Sequence, residues 1–99
     1  MDLSKAIRLA VDSGKVELGA DKAKKIALRG EAKLVIISKN CPSDTAADLK
    51  RYCSQSGTPI IEFPGTSVEL GIVCGKPFTV SALSVLEEGN SDILQAIRK

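Results

Sequence analysis

Apolar residues recur along this chain with two periods that alternate from one end to the other. Leu3, Ile7, Ala10 and Val11 follow helical spacing, and Gly14 behind them suits a helix end. Val16 and Leu18 flank Glu17, the alternation of a short strand, and Gly19 breaks it. From Ala20 to Arg29 the period is helical again. Ala20, Ala23, Ile26 and Ala27 share one side, and Lys22, Lys25 and Arg29 form a basic stripe on another. Leu34-Val35-Ile36-Ile37 is a continuous apolar run, as expected of a central strand covered on both faces. Asn40-Cys41-Pro42 ends it. Ser43 or Asp44 then opens a third helix that turns Ala46, Leu49 and Cys53 inward and stops at Gly57.

The second half repeats the alternation. Pro59–Phe63 reads as a strand closed by Pro64-Gly65. Thr66-Ser67-Val68-Glu69 has the form of a capping box, with a hydroxyl at the cap and a carboxylate three residues on. It opens a short helix through Leu70 and Val73 that ends at Gly75. Lys76-Pro77-Phe78 is a loop, and Thr79 to Leu86 is the last long strand. Asn90 or Ser91 caps a terminal helix carrying Ile93, Leu94 and Ile97. Strands alternating with helices predict a three-layer α/β/α sandwich around a mixed sheet of about four strands, with residues 1–99 forming one domain.

Composition narrows the class. The 99 residues are 43% hydrophobic, enough for a packed core. No apolar run approaches the roughly 20 residues that span a bilayer, and Met1-Asp2-Leu3-Ser4-Lys5 lacks a signal-peptide layout. The expected location is therefore cytoplasmic, with no membrane partner. Formal net charge is only +2, but its distribution is uneven. Lys22, Lys24, Lys25, Arg29 and Lys33 face a single acid, Glu31, within one stretch. Such a face suits a polyanion, although a solvated helix gives the same pattern.

Three segments offer chemistry. Leu18-Gly19 leads into a helix whose first N–H groups lack helical partners, and glycine lets a ligand approach the backbone closely. Lys22 and Lys25 then stand one turn further on. Asp21 in the first turn suits the helix dipole but repels phosphate. Asn40, just past the buried strand, offers a donor and an acceptor that suit a base edge, and equally suits an ordinary turn. Gly75-Lys76-Pro77-Phe78 holds one of only three aromatics. Phe78 either supports an unstacked base or packs into the core at the strand's start.

Catalytic and metal chemistry find little footing. There is no histidine, so the commonest general base is missing. Cys41, Cys53 and Cys74 match no zinc spacing, and an odd number argues against a disulfide framework. Buried thiols acting as small apolar groups are the expectation; the contrasting class is a thiol enzyme using Cys41 or Cys74. Gly71, Gly75 and Lys76 fall one residue short of a phosphate-binding P-loop, and Pro77 replaces its Ser or Thr. No cofactor, no metal and no enzymatic activity are expected.

Three blocks of the string resemble the archaeal and eukaryotic large-subunit ribosomal protein family called "L thirty-e". They are Leu18-Gly19 with Leu28-Arg29-Gly30-Glu31-Ala32-Lys33-Leu34-Val35-Ile36-Ile37; Gly65 to Gly71 with Gly75-Lys76-Pro77-Phe78; and Ser81 to Val85 through Ser91-Asp92-Ile93-Leu94. The resemblance spans nearly the whole chain. It implies a three-layer sandwich that binds kink-turns, RNA helices bent sharply at an internal loop. Partners would be ribosomal RNA and other ribosomal components, with a monomer outside the ribosome. Carried over by position, the RNA contacts would be Leu18, Gly19, Lys22, Lys25, Asn40, Gly71, Gly75, Lys76 and Phe78. Asp21 stands where relatives often have a basic residue, so Lys22 takes over that contact or binding weakens. The alternative is the sister "L seven-Ae" family, which also serves guide-RNA particles. It usually carries an Asn-Glu pair where this chain has Gly19-Ala20-Asp21-Lys22.

Overall fold

The computed structural model describes residues 3–97. Met1 and Asp2 lie outside the described residues, as does the side chain of Ile97, which the sequence reading assigned to the terminal helix. The elements follow in the order α1 (Leu3–Ser13), β1 (Lys15–Leu18), α2 (Ala20–Arg29), β2 (Leu34–Ile37), α3 (Ser43–Ser56), β3 (Ile60–Glu62), α4 (Ser67–Val73), β4 (Ala82–Glu87) and a terminal 3-10 helix, Ile93–Ile97. The sheet is mixed, in the order β1-β4-β2-β3. β4 runs antiparallel to both β1 and β2, and β3 pairs with β2 in parallel.

Register decides which side chains share a face. Leu34 lies opposite Val85 and Ile36 opposite Leu83, and these four face a core with Ile7, Ala10, Leu70 and Ile93. Val35 lies opposite Ser84 and Ile37 opposite Ala82, and this face meets Ala23, Ala27, Leu49 and Cys53. One layer is thus α1, α4 and the terminal helix; the other is α2 and α3. All four residues of β2 are buried, because both faces of that strand are covered. Fully burying a Leu or Ile is worth about 1.5–3 kcal/mol, so Leu34, Ile36 and Leu49, each 0% exposed, anchor the two layers. No helix among the described residues is long and apolar enough to cross a membrane.

Two expectations need correction. The last strand begins at Ala82, not Thr79. The Val80 N–H donates to the Ser67 carbonyl at 3.0 Å, which ties residues 79–81 to the start of α4 instead of to the sheet ladder. The chain end is a 3-10 helix, held by the Ser91 hydroxyl, which donates to the Ala6 carbonyl and accepts from the Ile93 N–H at 3.1 Å. Gly14 follows α1 as expected, but its conformation is not left-handed. A Cβ there would sit 2.1 Å from the Glu87 carbonyl oxygen, so close approach to the β4 exit requires glycine.

Candidate nucleic-acid interface

β1, β2 and β3 all finish at one end of the sheet, where β4 begins, and hydrogen bonds join their exits. The Gly19 N–H donates to the Ala82 carbonyl at 2.9 Å. The Ser38 N–H donates to the Ser81 carbonyl at 2.8 Å, and the Lys39 N–H to the Gly65 carbonyl at 2.8 Å. Segments 18–19, 38–40, 65–67 and 80–82 therefore share one end of the sheet, and the 76–79 loop leads into it.

Gly19 is the N-cap residue of α2, with φ 116° and ψ 144° and no side-chain capping bond. That backbone conformation strains any residue with a Cβ, and nothing lies within 4 Å of where a Cβ would stand. The helix start is thus open on that side. Leu18, at the end of β1, is half-buried and packs against the core.

Asn40 is exposed, but its side chain is already half engaged. Its Oδ1 accepts from the Ser67 N–H at 2.7 Å and from the Ser38 hydroxyl at 3.1 Å. The acceptor expected for a base edge is therefore committed, and the amide NH2 remains as a donor. This bracket also fixes the loop after β2 against the first residue of α4. Thr66 caps α4: its hydroxyl accepts from the Glu69 N–H, and the Glu69 carboxylate accepts from the Thr66 N–H, both at 3.3 Å. The capping box is where the sequence placed it.

Phe78 is 55% exposed, which rules out the core placement. The 75–79 loop that carries it is held rigidly. The Lys76 N–H donates to the Gly71 carbonyl at 3.0 Å, and Gly75 takes the left-handed φ of 74° that turns the chain out of α4. Gly71 itself is buried, and a Cβ there would come within 2.1 Å of the Phe78 carbonyl oxygen. Gly71, carried over as an RNA contact, is thus buried at a point where only glycine lets the Phe78 loop lie on the helix.

The basic stripe divides. Lys22, Lys25 and Arg29 line an open groove of about 310 Å³ with Lys15, Glu17 and Glu31. Lys22 pairs with Glu17 at 3.6 Å, and Arg29 with Glu31 at 3.6 Å. These pairs are exposed, so each is worth roughly 0–1 kcal/mol and a phosphate can displace it. Lys24 turns away to Asp48 at 3.4 Å. Lys25 makes no ion pair among the described residues. Lys39, just past β2, and Lys76, just past α4, are both exposed.

The thiols do not form a reactive centre. Burial raises all three, and Cys74 is pushed up to about 11, although Lys76 and Arg8 pull the other way. Cys53 and Cys74 sit in opposite core layers. Among the described residues, no group of three or more Cys, Asp or Glu side chains could hold a metal ion. Sequence reasoning missed Val68 and Ile72, 55% and 68% exposed on α4. Their spacing of four, off the Leu70–Val73 side of the helix, was the available signal.

Fold and site together define a class: an α/β/α sandwich whose sheet end carries an open helix start, unpaired lysines and an exposed aromatic. A family model described as "Ribosomal protein L7Ae/L30e/S12e/Gadd45 family" matches residues 1–95. The protein named "Large ribosomal subunit protein eL30" from Methanocaldococcus jannaschii is 50% identical over 99 residues, covering 100% of this chain and 90% of the relative. Its namesake from Methanococcus vannielii is 54% identical over 94 residues, covering 95% and 90%. A third, from Methanococcus maripaludis strain C7, is 53% identical over 94 residues, covering 95% and 89%. This chain belongs to the ribosomal protein L7Ae/L30e/S12e/Gadd45 family, whose relatives here carry the names of ribosomal proteins and not of enzymes.

Proposed function

We propose that this protein is a structural component of the large ribosomal subunit that binds ribosomal RNA at a kink-turn. It acts as one RNA-binding domain, in the cytoplasm, and is a monomer until it joins other ribosomal components. The observation that carries this reading is the convergence of three separate segments on one sheet end. Gly19, the Asn40 side chain and the end of the loop that carries Phe78 are joined there by hydrogen bonds among Ala82, Ser81, Val80 and Ser67, and Lys22 and Lys25 follow Gly19 along α2. Names of close relatives support the ribosomal setting.

Each element has a task. The Gly19 helix start admits RNA close to the backbone, and its N–H groups with the positive helix end favour negative charge. Lys25, and Lys22 after exchange of Glu17, neutralise flanking phosphates. The Asn40 NH2 donates to a base or sugar oxygen. Phe78 offers an apolar face to a base splayed from the bent helix. Service in guide-RNA particles is the second reading; Gly19-Ala20-Asp21-Lys22, without an Asn-Glu pair, weighs against it.

Affinity for a kink-turn RNA and for a straight duplex, measured at several salt concentrations, tests the proposal. The expected result is sub-micromolar, salt-sensitive binding to the kink-turn, an order-of-magnitude figure for a contact with several phosphates. Equal affinity for both RNAs would refute shape recognition.

A further inference from the structure

On α1 stands a cation that the RNA contacts above leave out. Arg8 is exposed, and its Nε donates to the Asp12 carboxylate at 3.0 Å, one turn further along the helix. That single bond leaves Nη1 and Nη2 without an acceptor among the described residues. The guanidinium is seated against Gly75, the first residue of the loop that carries Phe78. A Cβ on Gly75 would lie 2.7 Å from Nη1, 2.8 Å from Cζ and 3.1 Å from Nη2. Three nearly equal distances mean that the end of the guanidinium faces the bare glycine.

Both sides of this seat are fixed. The Gly75 N–H donates to the Ile72 carbonyl at 2.9 Å and the Lys76 N–H to the Gly71 carbonyl at 3.0 Å, so the backbone under Arg8 is tied to α4. On the other side, Asp12 holds Nε and with it the plane of the group. Lys76 and Arg8 are the two cations that act on the buried Cys74 thiol against the burial that raises it. Both charges therefore stand close to one residue, and Lys76 makes no ion pair among the described residues. The Arg8–Asp12 pair is 53% and 55% exposed, so it is weak and leaves the guanidinium open to a second anion. A guanidinium held at Nε presents Nη1 and Nη2 as a preset fork, which matches the paired oxygens of a phosphate.

We propose that Arg8 is a further RNA contact: its Nη1 and Nη2 hold one backbone phosphate of the strand that passes the 75–79 loop, beside the charge of Lys76. This rests on the reading of RNA binding above and extends the interface from the sheet end onto α1. It also gives Gly75 a task. Gly75, carried over as an RNA contact, acts through Arg8, because its missing side chain makes room for the guanidinium. The contact positions RNA without reading sequence, since every nucleotide offers the same phosphate.

The test uses the whole protein, a kink-turn RNA, and the same RNA ethylated at one phosphate at a time. Arg8→Gln should lose about tenfold in affinity at low salt and lower the slope of log affinity against log salt by up to about one unit. One ethylated phosphate that weakens wild type should cost Arg8→Gln nothing more. Arg8→Lys should keep the slope, since the charge remains, and recover only part of the affinity, since the fork is gone. Gly75→Asn tolerates the left-handed backbone but puts a Cβ in the guanidinium's place. It should weaken wild type and add no loss in the Arg8→Gln background; a further loss there overturns the seat. Arg8 is exposed, so both of its variants should melt as wild type does. A lowered melt with an unchanged slope marks a merely structural ion pair and overturns the contact. If wild type binds tightly and Arg8→Gln matches it in affinity and slope, the contact is overturned while the RNA-binding reading stands. Additive losses at every ethylated phosphate overturn it too. An Arg8→Gln protein that binds RNA fully yet fails to join large subunits shows that Arg8 faces a protein, which also overturns the assignment. Failure of wild type to bind the kink-turn at all overturns both.

Discussion

Asn40 offers a substitution whose effects on stability and on binding should separate. Its Oδ1 accepts two hydrogen bonds, at 2.7 Å from the Ser67 N–H and 3.1 Å from the Ser38 hydroxyl, and its NH2 donates to no group among the described residues. Asn40→Asp is isosteric. One carboxylate oxygen keeps both bonds, and the other replaces the free donor with negative charge. The charge lies at the first residue of α4, where the helix dipole favours it by about 0.3–1 kcal/mol. Stability should hold or rise slightly. RNA affinity should fall, because a donor is lost and an anion faces an RNA oxygen. An unpaired partner of that kind costs about 1.5–3 kcal/mol, a loss of roughly ten- to a hundredfold.

Asn40→Ala gives the control. It orphans the Ser67 N–H and the Ser38 hydroxyl, and Ser38 is only 1% exposed. Stability should drop by about 1–3 kcal/mol, together with binding. Urea melts and fluorescence-anisotropy titrations against one kink-turn RNA read both quantities. An Asp variant that binds as tightly as wild type would show that the Asn40 amide does not face RNA. An Asp variant destabilised as much as the Ala variant would show that the Ser67–Ser38 bracket is wrong.

Three further predictions accompany it. Phe78→Ala should weaken kink-turn binding by about 1–3 kcal/mol with little change in melting temperature or salt slope, since the ring is exposed and uncharged; a stable variant with full affinity removes Phe78 from the site. Lys25→Ala should reduce the slope of log affinity against log salt by up to about one unit, and Lys22→Ala by less, because Glu17 already shares its charge; unchanged slopes in both would mark the stripe as merely solvated. Cys74 is protonated in the fold well past the ordinary thiol range, with its pKa raised to about 11 from 9.0. The unfolded thiol ionises first, so its contribution to stability is present below about pH 9 and is lost as pH rises toward 11. Cys74→Ala should lower stability through its cavity, flatten that alkaline decline and leave RNA affinity intact; an unchanged pH profile contradicts the burial argument.

Much of this molecule was legible because local rules and tertiary packing agreed. The run Leu34–Ile37 had to be covered on both faces, and it is. Thr66 and Glu69 form their capping box, and Ala23, Ile26 and Ala27 face inward while Lys22, Lys25 and Arg29 line the groove. The misreadings arose where long-range bonds override local pattern. Thr79-Val80-Ser81 alternates like a strand, but the Val80 N–H finds Ser67, 13 residues earlier, before the sheet claims the chain. Asn40 looked free in sequence because its partner Ser67 is 27 residues away. Gly71 carried the same ambiguity: whether a glycine admits a ligand or a neighbouring carbonyl depends on what folds against it. Phe78 could not be placed from pattern, because the rigidity of its loop comes from backbone bonds to α4.

The most direct test of where RNA sits is amide mapping by NMR on the whole protein titrated with kink-turn RNA. Shifts and broadening should concentrate at Gly19–Lys25, Lys39–Asn40 and Lys76–Phe78, the end where β1, β2 and β3 finish. Amides at the opposite end, Gly30–Lys33, Thr58 and Glu88–Gly89, should stay in place. The largest changes at that opposite end, or changes spread equally over both, would contradict the placement of RNA at the carboxyl ends of the strands.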